Sequence, residues 1–246
     1  MFGAAVTMGA LATPRAETTP VYLEVGKKRA FAGALEWPGW SRSARDERGA
    51  LEAFLAYGPR YRAALGRAGG GLIIPADVGA LDVRERLDGN PTTDFGAPGI
   101  APAADSRPLG TSELERQLGI LEACWRAFDR AAQRARGATL ATGPRGGGRE
   151  LAGIVRHVLE ADAGYLGALG WRFEGGPGAA PADARRLRRT IIEAIAAAPR
   201  SGAPRSGPRG GKRWTIRYFV RRSAWHALDH AWEIEDRAKP RPRDPA

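Results

Sequence analysis

The chain holds three histidines in 246 residues, His157, His226 and His230, and their placement suits a single metal ion. His226 and His230 stand in Trp225-His226-Ala227-Leu228-Asp229-His230-Ala231-Trp232, where a separation of four stacks both imidazoles on one face of a helix and lets them chelate one ion. His157, within Ile154-Val155-Arg156-His157-Val158-Leu159-Glu160, lies on another apolar-periodic stretch and can supply a third ligand from a facing helix. Three neutral imidazoles leave a coordination position open, as catalytic sites do and closed structural sites do not. Such an ion can act as a Lewis acid, hold a thiolate, or draw the pKa of water towards neutrality. The first two suit thiol transfer and the third hydrolysis. Imidazole ligands alone do not choose among zinc, nickel, copper and iron. The bland alternative is three core histidines satisfied locally, against which stands the concentration of all three in two helical stretches flanked by Trp225 and Trp232.

Other side chains frame this chemistry. A ligating imidazole normally donates its second ring N–H to a carboxylate or carbonyl, and Glu160 for His157, with Asp229 or Glu233 for the pair, are close enough in sequence to accept. Arg221 and Arg222, one turn before His226, are candidates to bind an anionic substrate or co-substrate. Cys124, between Glu122 and Trp125, reads as inert packing. Two glycine-rich loops, Gly143 to Arg149 and Gly207 to Arg213, each open a histidine-bearing helix. Their exposed amides beside Arg would suit an anion. They lack the Gly-Lys-Ser/Thr ending of a phosphate loop and read as flexible connections.

The elements that position these residues form an α+β chain. Residues 1–19 read as a disordered tail, since Met1 to Ala12 has no basic residue ahead of it to make a secretory signal. Residues 20–87 read as a small α+β unit: a hairpin of Val21 to Val25 and Arg29 to Leu35, a Pro38-Gly39 break, a helix from Asp46 to about Leu65 interrupted at Gly58-Pro59, and strands at Leu72-Ile73-Ile74-Pro75 and Leu81 to Leu87. Residues 88–110 read as a linker, with Thr92 to Gly96 as its distinctive stretch. Four helices follow, from Thr111 or Ser112 (with Glu115 completing a capping box) to about Arg136, Arg149 to Leu169, Pro181 to Ala198 and Arg213 to Arg237. A four-helix bundle is the economical arrangement for residues 111–237, with 238–246 as a second tail. His157 is about 12 Å from the start of its helix, and the His226/His230 midpoint about 14 Å from the end of its own. The three ligands therefore share one height if these helices run antiparallel.

The mid-helix His157 and the late His226-x-x-x-His230, in four helices over residues 111–237, resemble the DinB-like (YfiT-like) superfamily. The resemblance implies a bundle of up-down-down-up order, a divalent transition metal such as zinc, nickel or iron on His157, His226 and His230, and activity as a thiol transferase or isomerase. The co-substrate it implies is mycothiol, bacillithiol or glutathione, and one branch of the superfamily isomerises maleylpyruvate. At the other end of the chain, Leu35-Glu36-Trp37-Pro38-Gly39 followed by Glu47 to Leu55 resembles HicB-like domains over about forty residues, and no antitoxin role is inferred from it.

Composition narrows the partners. The net charge of +11 falls on the second half, where 25 basic residues face 15 acidic ones. Because 34 of the 38 basic residues are Arg, in a chain rich in Ala, Gly and Pro, the charge reflects coding bias as much as a nucleic-acid surface, and a small anionic substrate is the preferred partner. No stretch approaches the roughly twenty apolar residues of a membrane span. A lone cysteine suits a reducing cytoplasm. A homodimer is compatible with a bundle, although no apolar stripe names its interface. The leading expectation is a metal-dependent thiol transferase or isomerase. A hydrolase is second, and a non-catalytic, metal-stabilised binding protein is the competing class.

Overall fold

A computed structural model describes residues 18–142, 148–174, 180–200, 211 and 213–238. The expected hairpin forms, with β1 (Thr19–Val25) antiparallel to β2 (Ala30–Ala34) and Val21 opposite Ala34. The Pro38-Gly39 turn leads to β3 (Ser41–Ala44), antiparallel to β2. β4 (Leu81–Asp88) pairs parallel to β1, giving the order β3-β2-β1-β4. Between β3 and β4 run α1 (Glu47–Ala56), capped by the Asp46 side chain, and α2 (Gly58–Leu65), with Pro59 in the first turn of the new helix. Leu72 to Pro75 is not the strand expected from its apolar run. Pro75 has no N–H for a ladder, and the Leu72 backbone is spent on a turn to the Gly69 carbonyl (3.0 Å) and on the Arg62 guanidinium (3.1 Å).

Residues 88–110 carry structure of their own. Asn90 caps α3 (Pro91–Phe95). The fully buried Glu24 of β1 accepts from the Thr93 hydroxyl and from the amides of Gly99 (2.8 Å) and Ile100 (3.1 Å). Thr92 to Gly96 is thereby bound to the sheet.

Four longer helices complete the chain: α4 (Thr111–Arg134), α5 (Leu151–Leu169), α6 (Pro181–Ala197) and α7 (Ile216–Arg237). The capping box expected at Ser112 does not form; Gly110 holds the cap position without a side-chain bond, and Glu113 in the first turn is taken by Arg217 of α7. Contacts at the helix ends fix directions. Arg217 meets Glu113 at the starts of α7 and α4, and Arg134 donates to Glu235 (2.6 Å) at their ends, so these two run parallel. The Trp214 amide donates to Ala168 O (3.0 Å) and Arg237 to Arg149 O (3.0 Å), joining the start of α7 to the end of α5 and the reverse. α5 and α7 are therefore antiparallel, as the height argument requires. Arg200, just past α6, bonds Thr111 at the start of α4 (3.0 Å), so α6 opposes α4.

α7 is buried almost all round between Ile216 and Leu228, the signature of a helix inside a core rather than on it. One side meets the sheet: Trp225 packs edge-on against Phe31 of β2, ring centroids 6.1 Å apart. At Gly39, with φ of 93°, a Cβ would stand 3.0 Å from that of Ala224. Both the left-handed backbone and the close approach call for glycine there, two residues from His226 in the facing helix. One core runs from Val21 and Phe54 through Leu121 to Ile154, Ile195 and Leu228, shared by sheet and long helices. Among the described residues no helix is long and apolar enough to cross a membrane.

Candidate metal centre

His157 projects from α5 and the pair from α7, and one ligand atom from each lies within 4.8 Å of the others. Nε2 of His157 and Nε2 of His226 are 3.3 Å apart. Two nitrogens bound to one tetrahedral zinc at 2.0–2.1 Å would stand about 3.3–3.4 Å apart, so this edge of the triangle already has coordination geometry. The rings meet edge-on rather than stacked, centroids 5.0, 5.0 and 4.6 Å apart. These three histidines lie close enough to bind a metal ion. Among the described residues no fourth His, Cys, Asp or Glu joins the cluster.

The surroundings of His157 and His226 disfavour their charged forms. Burial, then the neighbouring His230 and Arg149 charges, holds His157 below the ordinary histidine value of 6.5. Burial pushes His226, only 6% exposed, well below it, helped by His230, Arg222 and His157. Neutral imidazole is the form that ligates. His230 Nδ1 meets Glu233 Oε2 at 2.6 Å; with Nδ1 as the donor, the Nε2 lone pair is free for a metal ion. Burial raises the Glu233 carboxyl, but its bonds to His230 and Arg237 outweigh this and hold it below the usual value. Arg237, which also donates to the carbonyls of Ala141 (2.8 Å) and Arg149 (3.0 Å), fixes the outer face of that carboxylate. Of the three candidate carboxylates, Glu233 is the one that orients a histidine. Asp229 pairs instead with Arg42 of β3 (3.0 Å), and Glu160 is exposed. The buried Nδ1 of His226 has no partner among the described residues, so no outer-shell bond sets its tautomer.

Replacing Glu233 with Ala should lower divalent-metal affinity about 10- to 100-fold, the usual effect of losing an orienting carboxylate. Competition against a chromophoric chelator measures this, and an unchanged affinity would remove Glu233 from the site.

The structure separates the two candidate anion-binding arginines. Arg221 is buried and engaged within the protein, paired to buried Asp105 (2.8 and 2.7 Å) and bonded to the carbonyls of Ala34 and Leu35. Four of its five N–H groups are thereby taken up inside the protein, so its pairing is structural rather than directed at a substrate. Arg222 lies over the rings of Tyr165 and Trp225, both of which contact the His226 ring. Cys124 is buried, and burial pushes its thiol far above the usual range, so it is inert as expected. The cores of both glycine-rich loops, residues 143–147 and 201–210, lie outside the described residues. Sequence reasoning missed Arg237 and Tyr165. Arg237 is four residues past Glu233, and Tyr165 two turns past His157 on the same face, so helical spacing from the known ligands would have found both. The chain matches no family model, no curated protein and no solved structure.

Proposed function

We propose that this protein is a divalent-metal-dependent enzyme of the DinB-like kind, acting as a thiol-dependent transferase or isomerase. The convergence of His157, His226 and His230 from two antiparallel helices carries the reading. The helix directions support it further: α4 and α7 run one way and α5 and α6 the other, which fits an up-down-down-up four-helix bundle. Three protein ligands, with no fourth among the described residues, leave a coordination position for a substrate atom. Half-buried His157 and His230 leave the cluster reachable from solvent. A bound zinc, nickel or iron ion would supply Lewis acidity and favour the ionised form of a thiol or water. The protein's own surroundings favour neutral His157 and His226, aim His230 through Glu233 and wall the cluster with Tyr165 and Trp225.

Metal-loaded protein should couple mycothiol, bacillithiol or glutathione to chlorodinitrobenzene, lose that turnover on chelation, and keep its circular dichroism. Turnover of an ester without thiol would give the hydrolase reading instead. Early melting on chelation, with neither reaction under metal-replete conditions, would favour the non-catalytic binding protein.

A further inference from the structure

Four arginines of α7 have buried or half-buried side chains, and three are spent inside the protein. Arg217 is bonded to Glu113 and to two carbonyls, Arg221 to Asp105 and two carbonyls, and Arg237 to Glu233 and two carbonyls. Arg222 differs. Among the described residues its buried Nη1 has no hydrogen-bond partner and no carboxylate pairs with it. Its Cζ lies 4.7 Å from the Trp225 ring centroid and 5.5 Å from that of Tyr165, and those rings stand 6.0 and 5.9 Å from the His226 ring. Cation–π contact with two rings holds the guanidinium in place without consuming its N–H donors. Desolvated donors left unpaired are costly, and a ligand that pairs them recovers that cost.

Arg222, His226 and His230 follow one another at intervals of four, so they share a face of α7. Arg222 stands about 6 Å along the axis from His226 and about 9 Å from the midpoint of the pair. We infer that Arg222 is a carboxylate-binding residue beside the histidine cluster, so that the substrate carries a carboxylate a few bonds from the atom that reaches the metal. A planar carboxylate fits the edge of a guanidinium in a two-point contact. The inference rests on the metal-site reading for its geometry, while the anion subsite itself is a property of Arg222 and its two rings.

Two probe pairs test it on the full chain loaded with zinc, after elemental analysis of each variant. 4-Mercaptobutyrate and its neutral amide both offer a thiol to the metal and differ only at the far end; butyrate and butyramide probe the subsite without a metal-seeking atom. By calorimetry, 4-mercaptobutyrate should bind wild type at least about tenfold more tightly than its amide, one charge-assisted pair. Arg222→Gln should erase that advantage and Arg222→Lys restore part of it, with zinc content and amide affinity unchanged. Equal affinity of acid and amide in wild type, an advantage that survives in Arg222→Gln, or inorganic phosphate binding there more tightly than butyrate would overturn the assignment. If the protein takes up no zinc, the metal reading fails by elemental analysis, and butyrate against butyramide still decides the role of Arg222.

Discussion

His226→Ala/His230→Ala is expected to lower divalent-metal affinity by on the order of 10⁴-fold, from roughly 3 kcal/mol for each imidazole removed. Titration against a competing chelator reads the loss. The fold should persist, because α5 and α7 are also joined by Trp214 to Ala168 and by Arg237 to Arg149. In wild type the same affinity should depend on pH in a definite direction. Protons compete for the lone pairs, and His157 and His226 are held below 6.5, so binding should be retained down to that value and lost as the pH falls below it. The metal-free fold follows the same sign. Histidines whose folded pKa is depressed contribute stability that is fully present above the unfolded value and lost as pH falls towards the folded one. A variant that retained metal, or affinity that fell as pH rose from 6 to 7, would contradict this account.

The second large effect lies away from the metal. Asp105→Ala should destabilise the protein by about 3–5 kcal/mol, since it strands a buried guanidinium. The Arg221 and Asp105 side chains are 9% and 2% exposed. Burial opposes the charge of Arg221, and Asp105 more than restores it. Arg221 also ties residues 34–35 at the end of β2 to α7 five residues before His226, so the pair joins sheet and helix beside the site. For a chain of this size the loss corresponds to a fall in Tm on the order of 10 °C. Urea unfolding with and without metal measures it, and a loss below about 1 kcal/mol would show that water reaches and solvates Arg221 in place of Asp105.

What could be read from the sequence divides along local and non-local lines. The hairpin, the break at Gly58-Pro59 and the spans of α5, α6 and α7 rest on periodicity and on Gly and Pro, so they were legible to within a few residues. The His226/His230 pair followed from helical spacing, and His157 from relative height. β3 was missed because Ser-Arg-Ser-Ala has none of the β-branched or aromatic residues that mark a strand. The parallel pairing of β1 with β4 depends on a partner some sixty residues away, which no local pattern encodes. Asp105 looked like loop composition in a Gly- and Pro-rich stretch, and its partner Arg221, 116 residues on, looked free. A charged residue's partner is a tertiary fact, and so the difference between Arg221 and Arg222, both read from the sequence as candidates to bind an anion, appears only in the fold. Glu233 could be proposed from spacing, but its choice over Asp229 depended on Arg42 of β3 taking the other carboxylate.

The most direct measurement is the metal content and coordination of tag-free wild-type protein after reconstitution with zinc, by elemental analysis with X-ray absorption at the zinc edge. One zinc per chain with scattering from three imidazoles, and none retained in the His226→Ala/His230→Ala protein, is the result this account predicts. No bound zinc, or an ion whose shell lacks three imidazoles, would contradict it and leave the three histidines as a partly buried polar cluster.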